Sequence, residues 1–176
     1  MNQAQIELWV IEAQGGCEKA FEQLCRHFYP ALLRFTYKIC ADEAMAKDAV
    51  QNCWMKLANS LSKLQDPRAF KAWVYRSARW QTLDLLKRQS HEIVDFTDEE
   101  MSDALIAHDH NENDADKGSR LRELMNGLSE LDQQAIHLFY LENMRLAEIA
   151  HVLGIPVGTV KSRLNRARNN LKKQLE

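Results

Sequence analysis

The residues with the most evident chemistry lie on one face of a helix near the C-terminus. No acidic residue occurs from Pro156 to Gln174. One face of this segment carries hydroxyls, an amide and cations: Thr159, Lys161, Ser162, Arg163, Asn165, Arg166 and Arg168. Such side chains donate hydrogen bonds to phosphates and base edges. The pattern favours nucleic-acid binding, although a basic amphipathic helix can also be the solvated face of an ordinary helical hairpin.

Two helices and a tight turn would position this face. The opposite face of the cationic helix is apolar, with helical spacing at Val160, Leu164, Ala167 and Leu171. A shorter apolar stripe precedes it, at Leu146, Ile149, Ala150 and Leu153. Gly154 suits the end of the first helix and Pro156 the first turn of the second. A helix-turn-helix that presents its second helix to the major groove is the direct interpretation.

Charge is distributed unevenly along the 176 residues, although the net charge is only −2. Residues 91–116 hold ten acidic side chains and no Lys or Arg, which leaves 15 acidic and 23 basic residues elsewhere. The segment has little helical pattern, so residues 90–117 are predicted to form an acidic, flexible linker. Its His108, Asp109, His110 and Asp114 are better explained as solvated side chains than as a metal site. The linker would separate two basic modules, at residues 1–89 and 118–176.

Helical periodicity dominates both modules, and no strand-like alternation appears, so the fold class is all-α. Helices are predicted over residues 3–12, over 20–39 with a kink at Pro30, and after an N-cap at Asp42. Another begins at Asp66-Pro67 and runs to about Lys87, with Leu83 inward and a basic exterior that includes Tyr75 and Trp80. In the second module, Ser129 to Asp132 resemble a capping box, and the helix continues to Glu142.

Several classes of function lack support in the sequence. No catalytic motif such as GxGxxG, GxxxxGK[ST], HExxH or GxSxG occurs, so neither an enzyme nor a cofactor is expected. The spacing of the four cysteines fits neither a zinc site nor a redox CxxC, and buried free thiols are expected. His137 and His151 are expected at surface or half-buried helix positions. No membrane span or secretory signal is evident, which favours the cytoplasm.

The chain resembles the extracytoplasmic-function (ECF) group of bacterial RNA polymerase sigma factors over nearly its whole length. The pattern of the second sigma domain is found in AFEQLCRHFYPALLRFTYKI, DAVQNCWMKL and DPRAFKAWVYRSARWQTLDLLKR. The pattern of the fourth domain is found in LSELDQQAIHLFYLENMRLAEIAHVLGIPVGTVKSRLNRAR. The resemblance implies a subunit that binds core RNA polymerase, reads the minus-ten and minus-thirty-five promoter elements and helps to open DNA. Members of the family usually also have an anti-sigma partner.

The resemblance also implies roles for individual residues. Contact with core polymerase would involve Asp48, Gln51 and Asn52, where Asn52 replaces the usual Glu. The minus-ten strand would be read by Lys63, Arg68, Lys71, Arg76, Arg79 and Trp80. In the minus-thirty-five groove, Lys161, Ser162, Asn165 and Arg166 would face bases, whereas Thr159 and Arg163 would lie nearer phosphates.

Trp80 departs from the family, which usually has Asn at this position. An exposed Trp80 could stack on an unpaired base, whereas its spacing of two helical turns from Trp73 equally suits a core position. Two alternatives to a sigma factor are a free-standing helix-turn-helix regulator and an all-α module that binds only protein. The first would need a ligand or dimerisation domain in residues 1–90, and the second is hard to reconcile with the basic charge outside the linker.

Overall fold

The computed structural model of the protein describes residues 2–95, 125 and 127–175, and this part of the chain is helical and contains no strand. The first region consists of α1 (Gln3–Gln14), α2 (Glu18–Cys40), α3 (Glu43–Ser60) and α4 (Phe70–Asp95). Two short 3-10 turns, Leu61–Lys63 and Pro67–Ala69, connect α3 to α4. The second region consists of α5 (Glu130–Ile136), a π-helical turn (His137–Leu141), α6 (Leu146–Leu153) and α7 (Val157–Leu175).

Side-chain caps begin several helices where the sequence predicted them. Asp42 Oδ1 accepts from the Met45 N–H at 2.7 Å before α3, and Asp66 Oδ1 accepts from the Arg68 N–H at 3.0 Å. These bonds satisfy N–H groups that have no partner within the helix. The helix α2 runs through Pro30 without a break.

The core of the first region is built from apolar and aromatic faces of α1 to α4. Leu24, Leu32, Val50 and Leu57 are buried there, and Phe28 meets Phe70 edge to face at 5.5 Å between ring centroids. Such packing removes apolar surface from water and holds the outer face of α4 in place.

The helix-turn-helix of the second region agrees with its predicted pattern. Ile149 and Leu153 on α6 pack against Val160, Leu164 and Ala167 on α7, all buried. Gly154 adopts a left-handed conformation with φ of 69°, and its N–H closes α6 on the Ala150 carbonyl at 2.9 Å. Because this conformation costs little for glycine, the turn can be tight.

Four sequence predictions about this part of the chain were wrong. The helix α4 continues to Asp95 instead of ending near Lys87, so the start of the predicted linker is helical. Tyr75 is fully buried and Leu83 is exposed, the reverse of what periodicity indicated. Cys17 is exposed at the start of α2, whereas Cys40 and Cys53 are buried and Cys25 is half-buried. His137 is buried.

Tyr75 and His137 are buried because the two regions pack against each other. The helix α4 packs against α6, and α2 packs against α5. The centroid of the His137 ring lies 5.4 Å from that of the Phe35 ring on α2. The centroid of the Phe35 ring lies 5.4 Å from that of the Tyr75 ring on α4. The acidic stretch from 96 to 116, including the histidines considered as metal ligands, lies outside the described residues.

Candidate nucleic-acid interface

The outer face of α7 presents the side chains that the sequence assigned to DNA. Lys161, Ser162 and Asn165 are exposed, whereas Thr159 is half-buried. The Ser162 hydroxyl donates to the Thr159 carbonyl at 3.0 Å, and its oxygen retains the capacity to accept a hydrogen bond. The burial of the opposite stripe fixes the rotation of the helix, so these polar groups share one solvent-facing surface.

Two arginines of α7 are held by a buried carboxylate that the sequence did not single out as functional. Asp132 of α5, only 2% exposed, accepts from Arg163 Nη1 at 3.0 Å and from Arg166 Nη2 at 2.7 Å. Arg166 Nε adds a hydrogen bond of 3.2 Å to Asp132 Oδ2, so the guanidinium binds the carboxylate through two nitrogens of one edge, Nε and Nη2. Burial alone would raise the pKa of Asp132, but hydrogen bonds from Arg166, Ser129 and Arg163 outweigh burial and lower it.

The arrangement leaves Arg166 able to reach outward. Its side chain remains 55% exposed, whereas that of Arg163 is 23% exposed.

The capping box predicted for Ser129 to Asp132 is only partly correct. Ser129 Oγ accepts from the Asp132 N–H at 3.3 Å, while the Asp132 side chain anchors the recognition helix. In a sequence, a carboxylate three residues after a Ser N-cap indicates a capping box. The contact of the Asp132 side chain with α7 therefore could not be predicted from the sequence.

Arg168 lies on the flank of the same helix. Its Nε donates to the Tyr140 hydroxyl at 2.6 Å, and its guanidinium lies 5.5 Å from the Phe139 ring centroid. Cation–π contacts of this kind fix an arginine without neutralising its charge.

The structure places Trp80 at the surface of α4. The side chain is 55% exposed, and the Lys56 ammonium of α3 lies 4.2 Å from the centre of its ring. A cavity of about 430 Å³ opens beside it, lined by Lys56, Trp73, Arg76, Ser77, Gln81 and His151 among others. The core position that the sequence left open for Trp80 is thereby excluded.

The cations assigned to the minus-ten strand have different surroundings. Lys63 is exposed, and exposed Arg68 is paired with Asp66 at 3.0 Å. By contrast, Lys71, Arg76 and Arg79 all contact the second region. Lys71 Nζ donates to the Glu142 carbonyl, Arg76 Nη1 lies 3.2 Å from His151 Nδ1, and Arg79 Nε donates to Gln134 Oε1 at 2.8 Å.

Glu142 lies at the centre of this contact between the regions and is buried. Burial would raise the pKa of its carboxyl, but His137, Tyr75 and Lys71 together outweigh burial and lower it. His137 Nε2 lies 3.4 Å from Glu142 Oε1. The π-helical turn, closed by the Glu142 N–H on the His137 carbonyl at 3.2 Å, brings the two side chains together.

The residues assigned to core polymerase lie on α3. Asp48 and Gln51 are exposed and Asn52 is half-buried, while Ala49, Val50 and Cys53 face the core. Within the described residues, no group of three or more His, Cys, Asp or Glu side chains is placed to hold a metal ion. No helix in the same part of the chain is long and apolar enough to cross a membrane.

Two family patterns cover most of the chain. Residues 24–92 match Sigma-70 region 2, and residues 119–171 match Sigma-70, region 4. The first match includes most of α4 and much of the region that a free-standing regulator would need for another domain, which favours the sigma factor over that alternative.

Curated relatives and solved structures agree with these matches. ECF RNA polymerase sigma factor SigW of Bacillus subtilis is 24% identical over 93% of each chain. RNA polymerase sigma-H factor of Pseudomonas aeruginosa is 27% identical over 100% of this chain and 96% of its own. Probable RNA polymerase sigma factor RfaY of Xanthomonas campestris is 25% identical, and this chain spans 42% of its length.

Among solved structures, sigma factor RpoE of Bartonella quintana, in complex with the anti-sigma factor NepR, is 26% identical. It superposes with a TM-score of 0.70 over 89% of this chain and 97% of that chain. CnrH, in complex with the cytosolic domain of CnrY, has a TM-score of 0.69 over 97% of each chain and, at 23% identity, supports the fold. The exposed polar face of α7, the basic face of α4 and the two matched regions together show that this chain belongs to the ECF group of the sigma-70 family and is an RNA polymerase sigma factor.

Proposed function

We propose that the chain directs core RNA polymerase to a set of promoters, with residues 118–176 on the minus-thirty-five element and residues 1–89 on the minus-ten element. The main observation in support of this proposal is the outer face of α7, where Lys161, Ser162 and Asn165 are exposed beside Arg166, which is hydrogen-bonded to Asp132. Residues 90–117 connect the two modules. The role is that of a binding subunit in the cytoplasm, without catalytic activity or a cofactor of its own.

On the minus-thirty-five element, α7 enters the major groove. Lys161, Ser162, Asn165 and Arg166 face base edges, whereas Thr159 and Arg163 lie nearer phosphates. Asp132 supports this assignment because it fixes the direction of Arg163 and Arg166 before DNA arrives. A preoriented arginine loses less rotamer freedom when it binds.

On the minus-ten element, the outer face of α4 holds the displaced strand. Lys63, Arg68, Lys71, Arg76 and Arg79 supply positive charge for phosphates. Exposed Trp80 supplies a flat aromatic surface on which an unpaired base stacks, which compensates for part of the stacking lost when the duplex opens.

Protein partners bind through other surfaces. Core polymerase contacts α3 through Asp48, Gln51 and Asn52, of which the first two are exposed. An anti-sigma factor is the further expected partner, supported by the similarity to an RpoE that was solved with its anti-sigma factor.

Run-off transcription tests this function directly. Core RNA polymerase, this protein and a library of genomic fragments should together yield defined start sites that core enzyme alone does not produce. The Arg166→Ala variant should weaken promoter binding by about 1–3 kcal/mol and relax selectivity at one minus-thirty-five position.

Arg168→Ala is the matched control because Arg168 lies on the same helix but on its flank. If Arg168 contacts phosphate, its replacement weakens binding to every DNA sequence about equally and lowers the salt dependence of binding. An Arg166→Ala variant that loses affinity equally for all sequences would contradict the base-reading role.

A further inference from the structure

Asp132 is a buried carboxylate that binds two arginines of the helix that faces DNA. Its side chain is 3% exposed, and it accepts hydrogen bonds from Arg163 Nη1 at 3.0 Å and from Arg166 Nη2 at 2.7 Å. The helix α7 contains no acidic residue of its own, so this negative charge comes from α5. One carboxylate against two guanidinium groups leaves the cluster with a net positive charge, which still attracts DNA.

The geometry at Arg166 gives different partners to different edges of the guanidinium. Nε and Nη2 face Asp132: Nε donates to Oδ2 at 3.2 Å, and Nη2 donates to Oδ2 at 2.7 Å and to Oδ1 at 3.0 Å. The guanidinium is planar and its donors have fixed directions, so the edge formed by Nη1 and Nη2 points away from the carboxylate. Because the side chain is 55% exposed, a ligand can approach this second edge.

The second edge of Arg166 fits guanine. Its two N–H donors match the O6 and N7 acceptors that guanine presents in the major groove. A phosphate group can bind either edge of a guanidinium, but here the carboxylate occupies one edge and its charge opposes a phosphate beside it. Asp132 therefore favours a base over a phosphate as the partner of Arg166.

Arg163 is held differently by the same carboxylate. It binds Asp132 through Nη1, its side chain is only 23% exposed, and its buried Nε has no hydrogen-bond partner among the described residues. The contact with Arg163 thus fixes the packing of α7 on α5. The accessible edge belongs to Arg166, and selectivity should depend on that arginine.

We propose that Asp132 is a positioning residue that determines specificity on the minus-thirty-five element: it holds the Nε–Nη2 edge of Arg166 and thereby commits this arginine to one guanine. Without the carboxylate, the guanidinium turns to the nearest phosphate, which every DNA sequence offers. This inference rests on the proposed role of α7 in the major groove. Loss of Asp132 should make DNA binding less selective and more dependent on salt.

Affinities of the full-length chain for short duplexes test this role. The duplexes carry the minus-thirty-five element found by run-off transcription, with each guanine in turn replaced by 7-deazaguanine, which lacks the N7 acceptor. At one position the replacement should weaken binding of the unmodified chain by about tenfold, as expected for the loss of part of a bidentate contact. In the Asp132→Asn variant, the same replacement should have almost no effect.

Salt dependence is a second measurement that a purely structural role would not change. If Arg166 turns to a phosphate in Asp132→Asn, the slope of log affinity against log salt concentration should steepen by about 0.9, the value for one added phosphate contact. Partial unfolding lowers the affinity for all duplexes alike and leaves their ratio unchanged. Equal weakening on every duplex, with an unchanged slope, would show that Asp132 only stabilises the fold and would overturn the proposal.

Gln133→Ala is the matched control on α5, since Gln133 neighbours Asp132 but bonds to the Leu128 carbonyl at 3.0 Å. It should keep both the response to 7-deazaguanine and the salt slope. Arg166→Lys covers the case in which Asp132→Asn does not fold. An ammonium group cannot bind the carboxylate and guanine along separate edges, so this variant should lose the response to 7-deazaguanine. A response retained in Arg166→Lys would overturn the proposal.

The unmodified chain separates failure of this inference from failure of the proposed function. If it distinguishes the minus-thirty-five element from unrelated duplexes but responds to 7-deazaguanine at no position, the commitment of Arg166 to guanine is wrong and base reading by α7 stands. If it binds all duplexes equally, base reading by α7 fails, and the role of Asp132 fails with it.

Discussion

At the scale of single residues, a buried carboxylate organises the recognition helix. Asp132 binds Arg163 and Arg166 across the boundary between α5 and α7, at distances of 3.0 Å and 2.7 Å. It thereby ties the helix that faces DNA to the helix that supports it. Tyr75 likewise depends on its tertiary surroundings. The sequence pattern predicted an exposed side chain at this position of α4, but the second region covers it and Tyr75 is fully buried.

Replacement of Asp132 by Asn should destabilise the second region, because two guanidinium groups lose their charged acceptor. The expected loss in the free energy of unfolding is about 2 kcal/mol at neutral pH. The pKa of Asp132 is lower in the folded protein, so its stabilisation is complete above the unfolded pKa and is lost as the pH falls through the folded one. Denaturation of both proteins between neutral pH and about pH 3 should therefore show their stabilities converging in acid.

Asp66→Asn is the control for this experiment. Asp66 also pairs with an arginine, but both partners of that pair are solvent-exposed, and Asn is itself a good N-cap. Its replacement should change stability little. Equal losses in the two variants would show that the buried position of Asp132 is not the cause.

Trp80 provides a second residue-level prediction. Because the side chain is 55% exposed, Trp80→Ala should leave the melting temperature nearly unchanged. If a base stacks on it, the same variant should impair promoter opening by about 1–3 kcal/mol, seen as weaker permanganate reactivity of minus-ten thymines. Trp80→Phe, which keeps an aromatic face, should retain much of the activity. A variant with lower stability and normal opening would contradict the stacking role.

At the scale of elements, the turn between α6 and α7 sets the angle at which the recognition helix is presented. Gly154 occupies its left-handed position with φ of 69°, and an added Cβ would meet nothing within 4 Å. The only penalty for a side chain is therefore backbone strain. Gly154→Ala should lower the free energy of unfolding by about 1–2 kcal/mol.

Gly158→Ala is the matched comparison within α7. A Cβ added to this glycine would also meet nothing within 4 Å, but Gly158 lies in helical conformation. Alanine there should stabilise the helix by about 0.5–1 kcal/mol. Thermal denaturation of the two variants should thus show shifts in opposite directions, and shifts of the same sign would argue against the strain at Gly154.

At the scale of the whole molecule, three cations proposed to bind the minus-ten strand also join the two regions. Lys71, Arg76 and Arg79 were assigned to DNA from sequence similarity, and in the structure they hold the two regions together. These uses are compatible because a surface with outward hydrogen-bond donors can bind carbonyl, amide and imidazole acceptors as well as phosphates.

The sequence alone determined the all-α class, most helix boundaries, the helix-turn-helix and the exposed polar face of α7. Each depends on local rules: apolar spacing fixes which face is buried, and Asp42, Asp66 and Gly154 mark where helices begin or end. Only the tertiary structure decided the burial of Tyr75 and His137, the partners of Lys71 and Arg79, and the anchoring by Asp132. The hydrogen bonds among these contacts join residues 31 to 71 positions apart, and no periodicity along one helix specifies which face of another helix will meet it.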